Sequence, residues 1–97
     1  MKSIMQEDRS YCFLCGRNGY WDPLEEHHAL GGPNRKHSEQ DGLKVYLCGD
    51  RCHRNGKKSA HRCKETADHI HAEAQKAWEA RYGTREEFRR RYGKNYL

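Results

Sequence analysis

The chain is short of apolar side chains. Only 34% of its 97 residues are hydrophobic, several of them alanines, so a large core is excluded. No run approaches the roughly 20 apolar residues a bilayer-spanning helix needs. Residues 1–10 are polar and charged, unlike a secretory leader. There is no HExxH pattern, which weakens the case for a zinc hydrolase of another substrate. No internal repeat or low-complexity segment interrupts the chain, so a single domain over 1–97 is expected. A domain this small, with so thin a core, usually needs a disulfide, a metal or a partner chain as a staple.

Five cysteines are present to supply one. Without a leader the chain reads as cytoplasmic, where thiols stay reduced and paired cysteines more often bind metal. Their odd number also argues against a pure disulfide framework. Cys12-x2-Cys15 followed by Gly16 has the form of a zinc knuckle; a redox dithiol would want a βαβ context that is missing. Cys48-x3-Cys52 supplies a second pair. Together Cys12, Cys15, Cys48 and Cys52 make a four-thiolate set for a structural Zn2+, with mixed Cys/His ligation or disulfides as the alternatives. Cys63 is left over and reads as a half-buried helix residue.

Nineteen Lys and Arg against fourteen Asp and Glu give a formal charge of +5, which favours a polyanionic partner such as DNA. Residues 1–9 read as a loose lead-in, and Tyr20 and Trp21 as aromatics packed on the knuckle. Residues 24–30 predict a strand, Gly31-Gly32-Pro33-Asn34 a turn, and residues 35–40 a polar loop. Residues 43–47 predict a half-buried strand running into Cys48. Residues 50–55 predict a helical turn ended by Gly56. A helix is expected over 59–82, with Ala67, Ile70, Ala74, Ala77, Trp78 and Arg81 in one stripe and Gly83 as its cap. Thr84 and Glu87 fit a capping box that opens a short, very basic helix to about Tyr92, stopped by Gly93.

Five of the seven histidines fall between His27 and His61, close to the cysteines. Two or three imidazoles on a divalent cation with open positions suit phosphodiester chemistry. A neutral histidine beside them suits proton transfer from water. His27, His28, His53 and His61 are the candidates, although any of them could complete a zinc site instead. His37, His69 and His71 read as solvated.

At these residues the chain resembles the HNH endonuclease superfamily. The resemblance runs from Tyr11 to His61, through Cys12-x2-Cys15, His27-His28 and Leu47-Cys48-x3-Cys52-His53. It is similar in detail to small phage and prophage HNH proteins, at Glu26-His27-His28, Gly31-Gly32, Asn34-Arg35, Ala74-Gln75 and residues 88–97. The RecA-dependent, recombination-enhancing phage nucleases look similar too. The resemblance implies an α+β fold: a small zinc-stapled ββα-metal core over 10–62, then a helical part over 63–97 with one long helix and a short basic one. It implies a metal-dependent DNA endonuclease or nickase in a bacterial host cell, serving packaging or recombination. Structural Zn2+ and a catalytic Mg2+, Mn2+, Ni2+ or Zn2+ would be its cofactors. By position His28 would be the general base, with His27, His53 and, at a longer spacing than usual, His61 as ligands of the catalytic metal. The family's central asparagine falls here at Asp41-Gly42, so Asn34 is the candidate substitute. Arg35 would meet the phosphate, or else be a solvated loop arginine. A homodimer or a phage-protein partner would suit the thin core. The competing reading is a non-catalytic zinc-ribbon-like adaptor for nucleic acid or protein.

Overall fold

Two antiparallel strands carry the site, and one of them is buried on both faces. In the computed structural model, which describes all of Met1–Leu97, strand β1 (Leu24–His28) pairs with β2 (Lys44–Cys48) so that His27 lies opposite Val45 and His28 opposite Lys44. Every residue of β2 is buried, where alternation predicted half-burial. The reason is the lead-in. Residues 1–6 lie along the hairpin, with Ile4 N–H donating to Gly42 O at 2.9 Å, Ser3 Oγ to Lys44 O, and the Gln6 amide oxygen accepting from Tyr46 N at 2.9 Å. Phe13 N–H adds a bond to Tyr46 O at 2.8 Å. The outer edge of β2 is thereby satisfied rather than left open to another chain. The lead-in is not loose.

The connection between the strands is not a polar loop either. A 3-10 turn (Gly32–Asn34) opening on Pro33 runs into helix α1 (Arg35–Asp41). Gly42 ends α1 at φ 74°, its N–H turned back to Glu39 and Ser38 carbonyls. A side chain at Gly42 would lie 2.4 Å from the Lys2 carbonyl, so glycine is required twice over, by conformation and by space.

After β2 comes a six-residue π-helical turn (Gly49–Arg54). The long helix α2 spans Lys64–Arg81, starting later than the periodicity predicted. Residues 59–63 instead fold back on the π-helical turn: Ala60 N–H donates to Cys52 O at 2.8 Å and His61 N–H to His53 O at 3.1 Å. α2 buries Ile70, Ala74, Gln75 and Trp78. Arg81, expected in that stripe, is exposed, and Gln75 takes part instead. Its amide bonds Asn95, Glu79 and the Tyr96 N–H, clasping the C-terminal segment. Tyr82 rather than Gly83 closes the helix. Helix α3 (Arg85–Tyr92) opens with the Thr84–Glu87 capping box and stops at Gly93. No helix is long and apolar enough to cross a membrane.

The helices meet at Asp41, the position where a family asparagine was expected. Its carboxylate accepts from Trp78 Nε1 at 2.9 Å, Tyr92 Oη at 2.6 Å, and Arg91 Nε and Nη2 at 2.6 and 2.9 Å. Its carbonyl accepts from Tyr82 Oη at 2.9 Å. Burial alone would raise the Asp41 carboxyl, but the bonds from Arg91, Tyr92 and Trp78 outweigh it and hold it below the usual range. One side chain thus ties α1 to both later helices through a bidentate guanidinium pair and two aromatic donors. Asp41→Ala strands those donors and is expected to lower the free energy of unfolding by about 3 kcal/mol. Denaturant titration checks this, and an unchanged midpoint would reduce the hub to surface decoration.

Candidate metal centres and histidine cleft

The first knuckle is a tight turn, with Cys12 N–H donating to Arg17 O at 2.7 Å and Gly16 N–H to Cys12 O at 2.9 Å. Cys15 N–H points at Cys12 Sγ, 3.4 Å away, as a backbone amide does toward a thiolate. Cys48 ends β2, and Cys52 sits in the π-helical turn four residues on. The four sulfurs lie within 4.8 Å of one another, and the Cys15 and Cys48 sulfurs are 3.5 Å apart. Four thiolates at a Zn–S bond length of about 2.3 Å would stand about 3.8 Å apart on a tetrahedron. No two of the sulfurs are bonded to each other. Burial pushes the Cys48 thiol up to about 12 and the Cys52 thiol up as well. For Cys15, bonds from the Arg17 backbone and the neighbouring thiols outweigh burial and bring it down to about 7. Four such groups can be thiolates together only around a cation, so this set could hold a structural metal such as zinc. Cys63 stands outside it, at the start of α2.

The second cluster is built from three elements. His27 comes from β1, His53 from the π-helical turn, and His61 from the fold-back before α2. Their nearest ring nitrogens lie within 4.8 Å of one another, and the ring centroid of His27 is 5.0 and 5.4 Å from those of His53 and His61. The two backbone bonds from Ala60 and His61 to Cys52 and His53 bring the eight-residue excursion back to its start. Burial, with the nearby imidazoles, lowers His27 to about 3, so it stays neutral. Burial and then His53 lower His61 too. None of the three rings hydrogen-bonds another. The convergent nitrogens are a donor set suited to a borderline divalent ion with open positions.

His53 is oriented by a residue that spacing alone did not single out. Glu25 Oε1 lies 2.8 Å from His53 Nδ1, which turns Nε2 to the cluster. The carboxylate also pairs with Arg54. Bonds from Arg54 and then His53 hold the Glu25 carboxyl below its usual range. It rests against Gly49, where an added side chain would come within 2.8 Å of the carboxylate carbon. The signal was available: Glu25 and His27 alternate onto one face of β1.

His28 is on the other face at the strand end, and α1 holds its ring at both nitrogens. Glu39 Oε1 is 2.8 Å from Nε2, and Arg35 Nε donates to Nδ1 at 3.3 Å. An arginine can only donate, so Nδ1 carries the lone pair and Nε2 the proton. Arg35 and Glu39 reach one ring because they are one helical turn apart, a relation hidden while this stretch read as loop. Bonds from His28, the first residue's ammonium and Lys44 pull the Glu39 carboxyl down to about 2. Glu26, His28 and Glu39 also offer close ligand atoms. Their cation is already present, since Lys44 Nζ lies 3.3 Å from Glu26 and 3.1 Å from Glu39. Burial would lower Lys44, but these two carboxylates outweigh it and raise it.

A cleft of about 430 Å3 joins these parts: His27, His28, Arg35, His53, His61 and His71 all line it. Asn34 does not. Its side-chain amide donates to the Tyr92 carbonyl at 2.9 Å, fastening α1 to the end of α3. No family model, curated protein or solved structure matches the chain. Tyr20 and Trp21, expected to pack on the knuckle, project from it at 75% and 91% exposure.

Purified protein is expected to carry a tightly held divalent ion at the sulfur cluster. Replacing it with Co2+ should give strong thiolate-to-metal absorption that Cys48→Ser abolishes, and stripping it should erase the cooperative unfolding transition. A stripped chain that melts as before would make the cluster a packing feature only.

Proposed function

We propose that the chain is a metal-dependent DNA endonuclease or nickase of the HNH type, with a ββα-metal core that hydrolyses phosphodiester bonds. What carries this reading is one juxtaposition: three imidazoles with convergent nitrogens share a cleft with a fourth whose two nitrogens are already assigned to a carboxylate and an arginine. An adaptor needs the cysteines but has no use for that arrangement. The flanking segment 49–63 bears five basic residues and one acidic; with Arg54 paired to Glu25, the other four make a setting that draws a phosphate backbone.

A divalent ion on His27, His53 and His61 would supply charge neutralisation at the scissile phosphate and at the leaving oxygen. The chain's own residues do the rest. Arg35 donates only weakly to His28, at 3.3 Å, and is free to turn its guanidinium to an incoming phosphate. That uncovers the Nδ1 lone pair. Water then gives its proton to Nδ1 as its oxygen bonds to phosphorus, and the P–O3′ bond breaks. Glu39 accepts from Nε2–H throughout, fixing the tautomer and stabilising the imidazolium that forms. Lys44 keeps Glu39 ionised. Asn34 holds α1, and with it Arg35 and Glu39, in place.

The basic final helix contributes less than its composition suggests. Arg91 is committed to Asp41, and Arg89 and Arg90 pair with Glu86. Phosphate contacts are therefore assigned to the loop beside the cleft. A phage or prophage role in packaging or recombination accords with the proteins the sequence resembles.

Plasmid cleavage with added Mg2+, Mn2+ or Ni2+ tests the reading. His28→Ala is expected to lose at least about 100-fold in rate while keeping its fold and sulfur-bound metal. If wild type binds DNA and cuts none under any of these ions, the adaptor replaces the nuclease. Glu25→Gln should weaken Co2+ or Mn2+ binding at the histidines by about 10- to 100-fold. Metal content at the cysteines should not change; equal affinity would remove Glu25 from the site.

A further inference from the structure

A chain with so few apolar residues leaves its Trp21 91% exposed and Tyr20 75% exposed. The rings meet edge to face with centroids 4.8 Å apart, so the broad face of one stays open. Nothing in the fold needs them there. The loop that presents them is nonetheless stiff. Tyr20 N–H is held by Asn18 Oδ1 at 3.0 Å, Asp22 accepts from both Asp50 N–H and Arg51 N–H at 2.9 Å, and Pro23 O accepts from Gly49 N–H at 2.9 Å. The aromatic pair is thus bolted to the same π-helical turn that carries His53.

Beside the rings opens a cleft of about 630 Å3, lined otherwise by Cys48, polar residues and glycine. Arg17 and Arg51 line it and are in no ion pair, with the Arg17 side chain reaching the Cys15 sulfur. Its two carboxylates are engaged, Asp22 by the backbone amides and Asp50 by Asn55 at 2.7 Å. An open ring face beside two guanidiniums that are in no ion pair suits a planar base attached to a phosphate. Two rings in an otherwise polar lining make a smaller apolar patch than the core of a protein interface.

We propose that Tyr20 and Trp21 form a stacking platform for an unpaired nucleobase, so that the strand is engaged where it is single-stranded. Arg17 and Arg51 take the flanking phosphates. This rests on the nucleic-acid reading of the histidine cleft and narrows it. Substrates with unpaired bases near the scissile bond, such as gaps, flaps or single strands, are preferred to uniform duplex.

The test is equilibrium binding to the metal-loaded full chain, without added catalytic ion, read by fluorescence anisotropy of end-labelled strands, with tryptophan quenching followed alongside in the wild type. Trp78 is buried, so quenching by a base reports Trp21. The probes are a short oligothymidylate and an abasic strand of the same length and charge. Oligothymidylate should quench and bind about tenfold more tightly. Trp21→Ala should erase that gap and leave abasic binding unchanged, while Trp21→Phe keeps most of it. Equal binding of the two strands, or a gap that survives Trp21→Ala, overturns the platform. So does a dimer that Trp21→Ala converts to monomer in sedimentation. Base-dependent binding by a chain that cuts no DNA would sink the nuclease and keep the platform; cleavage without the gap would do the reverse.

Discussion

Four cysteine sulfurs drawn to one point are the constraint from which the rest of the arrangement follows. Apart from it, the knuckle at Cys12 and Cys15 meets β2 through the Phe13 N–H bond to Tyr46 O, and the chain beyond Cys48 is held by Pro23 and Asp22. Because Cys52 must reach the same point, the π-helical turn after β2 has one permitted position. His53 goes where Cys52 goes. Ala60 and His61 then pair with that turn, and His27 faces it from β1. With so few apolar residues, hydrophobic burial alone could not specify these positions.

The other end of the molecule is organised by polarity. Asp41 draws Trp78, Tyr92 and Arg91 onto one carboxylate, and the Phe88 ring packs with its centroid 4.7 Å from that of Tyr92 and, edge to face, 5.6 Å from that of Trp78. This hub lies at the C-terminus of α1, the helix whose other residues hold His28. The strength of the tertiary contact and the placement of Arg35 and Glu39 are therefore one question. Asn34 closes the same loop from the other end of α1.

Much of this was legible beforehand, for reasons that differ by residue. The cysteine pairs and the histidines stand out because ligand chemistry constrains both residue type and spacing. Thr84 and Glu87 stand out because a capping box is local. Helix α1 was hidden because its apolar stripe is nearly absent; it is held by Gly42, by Ser38, whose hydroxyl bonds Leu43 O, and by the Asp41 hub. The lead-in was hidden because Ser3 and Gln6 bond to backbone, which leaves no hydrophobic pattern. Glu39 and Lys44 were hidden because they meet through an element not foreseen, while Glu25 was passed over although it shares a strand face with His27. Trp21 was misplaced inside by its hydrophobicity, which says that it prefers contact and not with whom.

Cys52 and His53 are neighbours joined by one peptide bond, yet one side chain belongs to the sulfurs and the other to the imidazoles. A wide π-helical turn is what lets consecutive residues aim at separate centres. The two centres therefore share a hinge of minimal length. Order imposed on Cys52 has already removed most of the freedom His53 would lose on being fixed, so the second centre assembles on a backbone that is no longer searching. Disorder entering at Cys52 would therefore reach the imidazole cluster through a single peptide bond.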